Sequence, residues 1–229
     1  VYNANGTLKV YKDEGAYHER YMTLREAIAF SQNIPNLKGI SYAGTTNAAK
    51  FVRSVGIDDV DDDVGIGLAL GALNNGASTV QMAAAYAAIS NGGTYIIPTF
   101  YQKVTDKKGN IVLQPKSVEE RSTRVMTEQN AYIVKNVMQG TVQFGTAASY
   151  GKIPNQDTSA KTGTTNDSFD RWYVTFTNYY AAACWYGYEF SSEVYWTGGA
   201  NPAGSICSSI MKDVHANLEP SSFQEPSGI

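Results

Sequence analysis

The sequence has 229 residues, of which 43% are hydrophobic, and a formal net charge of −3 at pH 7. This length suits one large domain or two small ones. The weak negative charge gives no electrostatic reason to expect binding to nucleic acid or to an anionic membrane surface. The longest nearly unbroken apolar run, residues 82–89, is far too short to cross a bilayer, and no signal-peptide pattern is visible at Val1.

The first predicted helix begins at a capping box. The Thr23 hydroxyl can accept a hydrogen bond from the Glu26 amide, while the Glu26 side chain reaches back to Thr23. Apolar residues at i, i+3 and i+4 lead to Ser31 at i+7, which predicts that this serine lies on the buried face of the helix. Because Pro35 disfavours helical angles in the residue before it, the helix is expected to end between Ser31 and Asn33, with Asn33 exposed.

Two further helices and an acidic loop are predicted in the next part of the chain. A helix is expected over residues 46–55. The acidic segment 58–63 lacks the glycine and the final carboxylate of a calcium-binding loop, so a solvated loop is favoured. Ser78 and Gln81 form a second capping signal, which opens an alanine-rich helix that ends at residues 91–93.

The middle of the chain predicts a hairpin and another helix. Residues 95–104 and 111–114 are typical of two strands joined by a glycine-containing turn. Thr127 is placed to cap a helix that runs to about Gln139, with Gly140 as the glycine that ends it.

The last third of the chain predicts strands followed by a helix. Residues 171–177 and 181–188 have the alternation or the aromatic content of antiparallel strands. A final helix is expected over residues 204–218. Helices thus precede a run of strands, which precedes a terminal helix. This order predicts an α+β domain with an antiparallel sheet covered by helices.

Histidine and cysteine provide no obvious reactive site. The two histidines, His18 and His215, are not placed for a nucleophile–histidine–carboxylate triad, and each is predicted to have a surface or packing role. The spacing of Cys184 and Cys207 does not indicate metal binding. They allow one disulfide at most and are predicted to be small buried residues. We expect no metal and no cofactor.

The segment SAKTGTTND, residues 159–167, is the main candidate for a binding site. Lys161 offers an ammonium group next to Gly163, where a substrate backbone can approach a strand edge closely. The hydroxyl groups able to hold a carboxylate are those of Thr162, Thr164 and Thr165. A polar turn between strands is the alternative reading, because Lys-Thr-Gly is expected by chance about 0.1 times, and the Ser-x-Asn at residues 31–33 roughly once.

Ser-x-Asn followed downstream by Lys-Thr-Gly belongs to the motif set of serine enzymes that react with penicillin. In its wider sequence the chain resembles the transpeptidase domain of class A (bifunctional) penicillin-binding proteins. The similar segments are TLREAIAFSQNIPNLK, LALGALNNGASTVQMAAAYAAISNGGTYIIP, AKTGTTNDSFDRWYVTFT, and GSICSSIMKDVH with the tail FQEPSG. Thr175 and Asn178 depart from the family, which usually has Gly and Pro there.

The resemblance implies a penicillin-binding, serine β-lactamase-like fold with a five-stranded type of antiparallel sheet. Residues 1–229 would form a single domain, the C-terminal portion of the transpeptidase domain, incomplete at its N-terminal side. The nucleophile motif Ser-x-x-Lys fits residues 149–152 and 209–212, but both lie downstream of Ser31, in the wrong order. The resemblance therefore implies that the motif lies upstream of Val1, in the N-terminal remainder of the same protein, and that the fragment alone is inactive.

The resemblance also implies a role for each candidate residue. Ser31 would relay a proton to the leaving amine, and Lys161 would keep the cleft positive. The implied substrate-binding residues are Asn33, Thr162, Gly163, Thr164 and Thr165.

The implied activity is D,D-transpeptidation of peptidoglycan stem peptides at D-Ala-D-Ala, on the extracytoplasmic face of a bacterial membrane. The implied ligands are stem peptides and β-lactams, with no nucleic acid. The alternatives are a serine β-lactamase, which lacks its expected glutamate after Ser31, and a non-catalytic penicillin-recognising sensor or scaffold.

Overall fold

The computed structural model describes residues 11–13, 20–61, 65–165, 168–190, 192–195 and 199–229. Its first helices are α1 (Leu24–Ala29), α2 (Asn33–Ala43) and α3 (Thr45–Ser54). The capping box at the start of α1 is confirmed, since the Thr23 hydroxyl accepts from the Glu26 amide and the Glu26 carboxylate accepts from the Thr23 amide at 2.8 Å. The helix predicted over residues 46–55 corresponds to α3, whereas α2 was not predicted.

The turn between α1 and α2 differs from the sequence prediction. Ser31 does not continue the buried face of α1, because its φ of 55° places it in the left-handed region. Leu24, at the start of the predicted apolar stripe, is 60% exposed. Pro35 lies in the first turn of α2, where its missing amide hydrogen costs no helical hydrogen bond. The proline therefore belongs to the beginning of a second helix and not to the end of the first.

The alanine-rich helix α4 (Thr79–Ser90) has the predicted capping box between Ser78 and Gln81. After it, β1 (Thr94–Ile96) pairs with β4 (Ser122–Arg124), and β2 (Val104–Thr105) pairs with β3 (Ile111–Leu113). The short hairpin around the glycine-containing turn is confirmed. The prediction of one continuous strand over residues 95–104 was wrong. Pro98 follows β1, and β1 and β2 belong to two separate pairs of strands.

Helix α5 (Glu128–Gln143) has the predicted Thr127 cap but continues past Gly140. Gly140 is buried inside the helix, and a β-carbon there would lie 3.2 Å from the Ala29 β-carbon of α1. The glycine therefore allows α5 and α1 to pack closely. The prediction that Gly140 ends the helix was wrong, because a glycine is needed here for close contact with a helix that is distant in the sequence.

The central sheet is antiparallel, in the order β5 (Ser159–Thr164), β6 (Asp170–Phe176) and β7 (Ala181–Gly187). Helix α5 packs against β5, and both α4 and α6 (Pro202–His215) pack against β6 and β7. Tyr173 and Phe176 of β6 are fully buried in the resulting core. This mixture of helices and antiparallel sheet confirms the α+β prediction, and the described residues supply three strands of the central sheet.

His215 has the predicted packing role. It is buried, its Nε2 lies 2.8 Å from the Thr177 hydroxyl, and its Nδ1 lies 2.6 Å from the Met211 carbonyl oxygen. His18 and two positions of the acidic loop, residues 62–63, lie outside the described residues.

The described residues hold neither a metal-binding cluster nor a membrane-spanning helix. They contain no cluster of three or more His, Cys, Asp or Glu side chains able to hold a metal ion. Across the same ranges, no helix has both the length and the apolar character needed to cross a membrane.

Candidate active site

The left-handed turn between α1 and α2 holds Ser31 in place through backbone hydrogen bonds. The Ser31 amide donates to the Ile28 carbonyl at 3.1 Å, and the Gln32 amide donates to the Ala27 carbonyl at 2.9 Å. The Gln32 side chain is buried, and its amide group donates to the Phe30 carbonyl at 3.3 Å. The turn is therefore closed on both sides of Ser31, which restricts where its hydroxyl can point.

A direct hydrogen bond joins this turn to β5. Lys161 Nζ donates to Ser31 Oγ at 2.6 Å and to the Thr162 carbonyl oxygen at 2.8 Å. Burial lowers the pKa of Lys161 from its usual 10.5 to about 8. An ammonium group only donates hydrogen bonds, so Ser31 Oγ is the acceptor and keeps its own hydrogen free for another partner.

The face of β5 that carries Thr162 and Thr164 has a third hydroxyl beside it. The Thr146 Oγ1 and Thr162 Oγ1 atoms lie 2.7 Å apart, and both Thr146 and Thr164 are exposed. Thr162 and Thr164 point to the same side of β5, because side chains alternate along a strand. These three threonines thus place hydroxyl groups along one strip at the strand edge.

Gly163 and Thr165 both have structural roles at this edge. A β-carbon at Gly163 would lie 3.1 Å from the Trp172 β-carbon on β6, so the glycine allows the two strands to pair closely. The Thr165 hydroxyl accepts a hydrogen bond from the Asp170 amide at 2.9 Å and helps close the turn between the strands.

Asn33 lies at the first position of α2, half-buried, and its side-chain amide donates to the Lys12 carbonyl at 2.7 Å. The neighbouring Ile34 amide donates to the Asp13 carboxylate at 2.8 Å. The described segment 11–13 therefore runs alongside the Ser-x-Asn motif.

The structure thus brings Ser31, Lys161 and Thr162 together and adds Thr146, which sequence reasoning missed. Thr146 follows α5 in a turn where its amide donates to the Ala29 carbonyl at 3.0 Å. The preceding Gly145 was a sequence signal for a close approach of the chain at this point. In the fold, its position leaves no room for a β-carbon next to Ala29. Its pairing with β5 appears only in the folded chain.

The sequence of the chain is similar to those of known proteins. Residues 2–188 match the family described as the penicillin binding protein transpeptidase domain. The chain is 32% identical over 232 residues to penicillin-binding protein 1A of Clostridium acetobutylicum. This alignment covers 100% of the chain and 28% of that protein. It is 28% identical over 212 residues to penicillin-binding protein 1A of Neisseria gonorrhoeae, covering 91% of this chain and 26% of that protein. The chain therefore spans about a quarter of the length of these relatives.

Solved structures share the fold. Penicillin-binding protein 1A from Haemophilus influenzae gives a TM-score of 0.78 at 22% identity, covering 99% of this chain and 39% of that one. The PonA1 protein from Mycobacterium tuberculosis in complex with penicillin V gives a TM-score of 0.76 at 20% identity. The match covers 100% of this chain and 63% of that one. These likenesses confirm the predicted fold.

Proposed function

The chain belongs to the transpeptidase-domain family of penicillin-binding proteins, and on that premise we propose that it is part of a peptidoglycan D,D-transpeptidase that β-lactams acylate. The observation that carries the proposal is the 2.6 Å hydrogen bond from Lys161 Nζ to Ser31 Oγ. It joins the Ser-x-Asn and Lys-Thr-Gly motifs in one site. The reaction is transfer of a peptide acyl group through a covalent serine ester, at the extracytoplasmic face of a bacterial membrane.

The attacking serine and its lysine are proposed to come from a Ser-x-x-Lys motif outside these 229 residues. Two observations support this. Ser149 and Lys152 are exposed, as are Ser209 and Lys212 on α6, and neither pair follows the order of the family motifs. The chain also spans only 28% of the relative from Clostridium acetobutylicum. A serine hydroxyl needs a neighbouring base to attack a carbonyl, and a neutral lysine of that motif would serve as this base.

Ser31 is proposed to pass the proton onward to the leaving group. Because its oxygen accepts from Lys161, its hydrogen is free to be donated. The leaving group is the amine of D-alanine or the nitrogen of a β-lactam ring, and either one needs a proton as the carbon–nitrogen bond breaks. Asn33 is proposed to hold the peptide part of the substrate through its side-chain oxygen and the Nδ2 hydrogen that does not bond to the Lys12 carbonyl.

The edge of β5 is proposed to bind the substrate's terminal carboxylate and its reacting carbonyl. The Thr162 and Thr164 hydroxyls would donate to the carboxylate, whose negative charge the Lys161 ammonium also attracts. The Thr164 amide, together with the amide of the nucleophilic serine, would form an oxyanion hole. Gly163 and Thr165 keep the strand in the position that this arrangement needs.

Labelled penicillin tests the proposed function in the intact protein that carries this chain. A long-lived covalent adduct is expected, together with release of D-alanine from a stem-peptide donor. Rapid turnover of penicillin would indicate a β-lactamase, an adduct without D-alanine release would indicate a sensor, and no adduct would indicate a scaffold. Each of these three results would contradict the transpeptidase proposal.

The 229-residue chain expressed alone is expected to form no penicillin adduct, because it lacks the proposed nucleophile. Intact-protein mass spectrometry after incubation with penicillin measures this directly. The intact protein under the same conditions is the positive control. An adduct mapped to Ser149 or Ser209 would show that the nucleophile lies within this chain.

Thr146→Val is expected to slow acylation by penicillin about tenfold, because one hydroxyl next to the carboxylate site is lost. Thr146→Ser keeps the hydroxyl and is expected to react at close to the normal rate. The exposed Thr123 on β4 provides a matched surface control, as Thr123→Val. Equal rates for Thr146→Val and Thr123→Val would exclude Thr146 from the binding site.

A further inference from the structure

The two cysteines of the chain meet where α6 packs on the central sheet. Cys184 lies in β7, opposite Tyr173 of β6, and Cys207 lies in α6. Both pack in one apolar cluster with Tyr173 and Met211, and both are free thiols. The proposed transpeptidase mechanism uses neither of them.

The two thiols differ in accessibility and in acidity. Cys207 is 1% exposed, whereas Cys184 is half-buried. The neighbouring Cys207 thiol lowers the pKa of Cys184, whereas the Cys184 thiol and burial raise the pKa of Cys207. An accessible thiol with a lowered pKa attacks disulfides readily, because the thiolate is the attacking species.

We propose that Cys184 and Cys207 form a redox-active dithiol that closes to a disulfide by exchange with an external disulfide and links α6 to the sheet. The proposal rests on three features of the contact. Cys207 belongs to the buried cluster and Cys184 packs against it, α6 packs directly on β7, and only Cys184 is within reach of a reagent. It is independent of the proposed transpeptidase activity.

The exchange proceeds in two balanced steps. The Cys184 thiolate attacks one sulfur of the external disulfide, a new S–S bond forms, and the first thiolate leaves. Cys207 then loses its proton, and its sulfur attacks the Cys184 sulfur and expels the second thiolate. The two cysteines lose two electrons in total, and the external disulfide gains both.

Reaction of the intact protein with 4,4′-dithiodipyridine tests the pairing. Peptide mapping by mass spectrometry is expected to recover the Cys184 and Cys207 peptides joined by a disulfide. These two residues together should release two equivalents of thiopyridone. A stable pyridyl adduct on Cys184, or two unreacted thiols, would overturn the proposal.

Single variants separate the two steps of the exchange. Cys207→Ser is expected to stop at a pyridyl disulfide on Cys184 with one equivalent released, and Cys184→Ser is expected to leave Cys207 unreacted. Circular dichroism verifies that each variant is folded, and Cys184→Ala or Cys207→Ala replaces the serine variant at the same position if that variant is not. Rapid reaction of Cys207 in the absence of Cys184 would contradict the assigned order of attack.

The melting temperature tests the link between α6 and the sheet. Closing a loop between two elements reduces the entropy of the unfolded chain, so the oxidised protein is expected to melt roughly 5 °C higher than the reduced protein. Dithiothreitol should reverse the shift, and Cys184→Ser should show none. An oxidised protein that melts no higher than the reduced one would overturn the stabilising role of the bond.

Discussion

Lys161→Ala is expected to reduce the second-order rate constant for acylation of the intact protein by penicillin at least about 100-fold. Two interactions are lost together: the hydrogen bond to Ser31 Oγ at 2.6 Å, and the positive charge that is proposed to attract the ligand's carboxylate. Both lie in a partly buried site, where an electrostatic interaction is stronger than it is in water. Stopped-flow measurements with a fluorescent penicillin provide the rate constant.

Lys161→Met separates the charge of Lys161 from the space that its side chain fills, and Lys108→Ala is a control for the loss of a surface charge. Lys161→Met keeps most of the aliphatic stem and removes the ammonium group, so it is expected to lose as much activity as the alanine variant. Lys108→Ala removes an exposed lysine from the turn between β2 and β3 and is expected to react normally. Near-normal acylation of Lys161→Met would mean that packing, and not charge, explains the alanine result.

The local features of the fold were predictable from the sequence because their determinants lie within a few residues of one another. Thr23 and Ser78 each meet a partner three residues later, and Thr127 caps the helix that immediately follows it. Such hydrogen bonds form wherever the chain turns into a helix and need no tertiary contact.

Features that depend on distant contacts were not predictable. Gly140 looked like the end of a helix, and only the packing of α5 on α1 shows why it lies inside one. Pro35 is compatible with the end of one helix or with the first turn of the next. Nothing nearby in the sequence distinguishes these cases, so the extent of α1 was overestimated and the turn at Ser31 was missed.

The candidate site also combines features that were predictable from the sequence with features that depend on distant contacts. The family resemblance supplied Ser31 and Lys161 as candidates, although 130 residues separate them. Their hydrogen bond requires both the left-handed turn at Ser31 and the register of β5, and neither is encoded in the motifs themselves. Thr146 belongs to no recognised motif, and it reaches Thr162 only because the chain turns back after α5.

Ser31→Ala is expected to reduce acylation about 100-fold or more, the range typical of a lost general acid–base group. The hydroxyl is the only group at this position that can both accept from Lys161 and donate to the leaving nitrogen. Ser31→Gly is the matched backbone control, because glycine adopts the φ of 55° without strain. Equal loss in both variants would assign the effect to the hydroxyl, whereas normal activity in the glycine variant would assign it to the backbone.

The double variant Ser31→Ala/Lys161→Ala tests whether the two residues act as one unit. If the role of Lys161 operates partly through Ser31, removing the second residue costs less once the first is gone, so the double variant reacts faster than the product of the two single effects predicts. The remaining loss on removing Lys161 from the Ser31→Ala background measures its attraction for the carboxylate alone. Fully multiplicative effects would show that the hydrogen bond between them does not contribute to acylation, and that Ser31 donates its proton independently of the lysine.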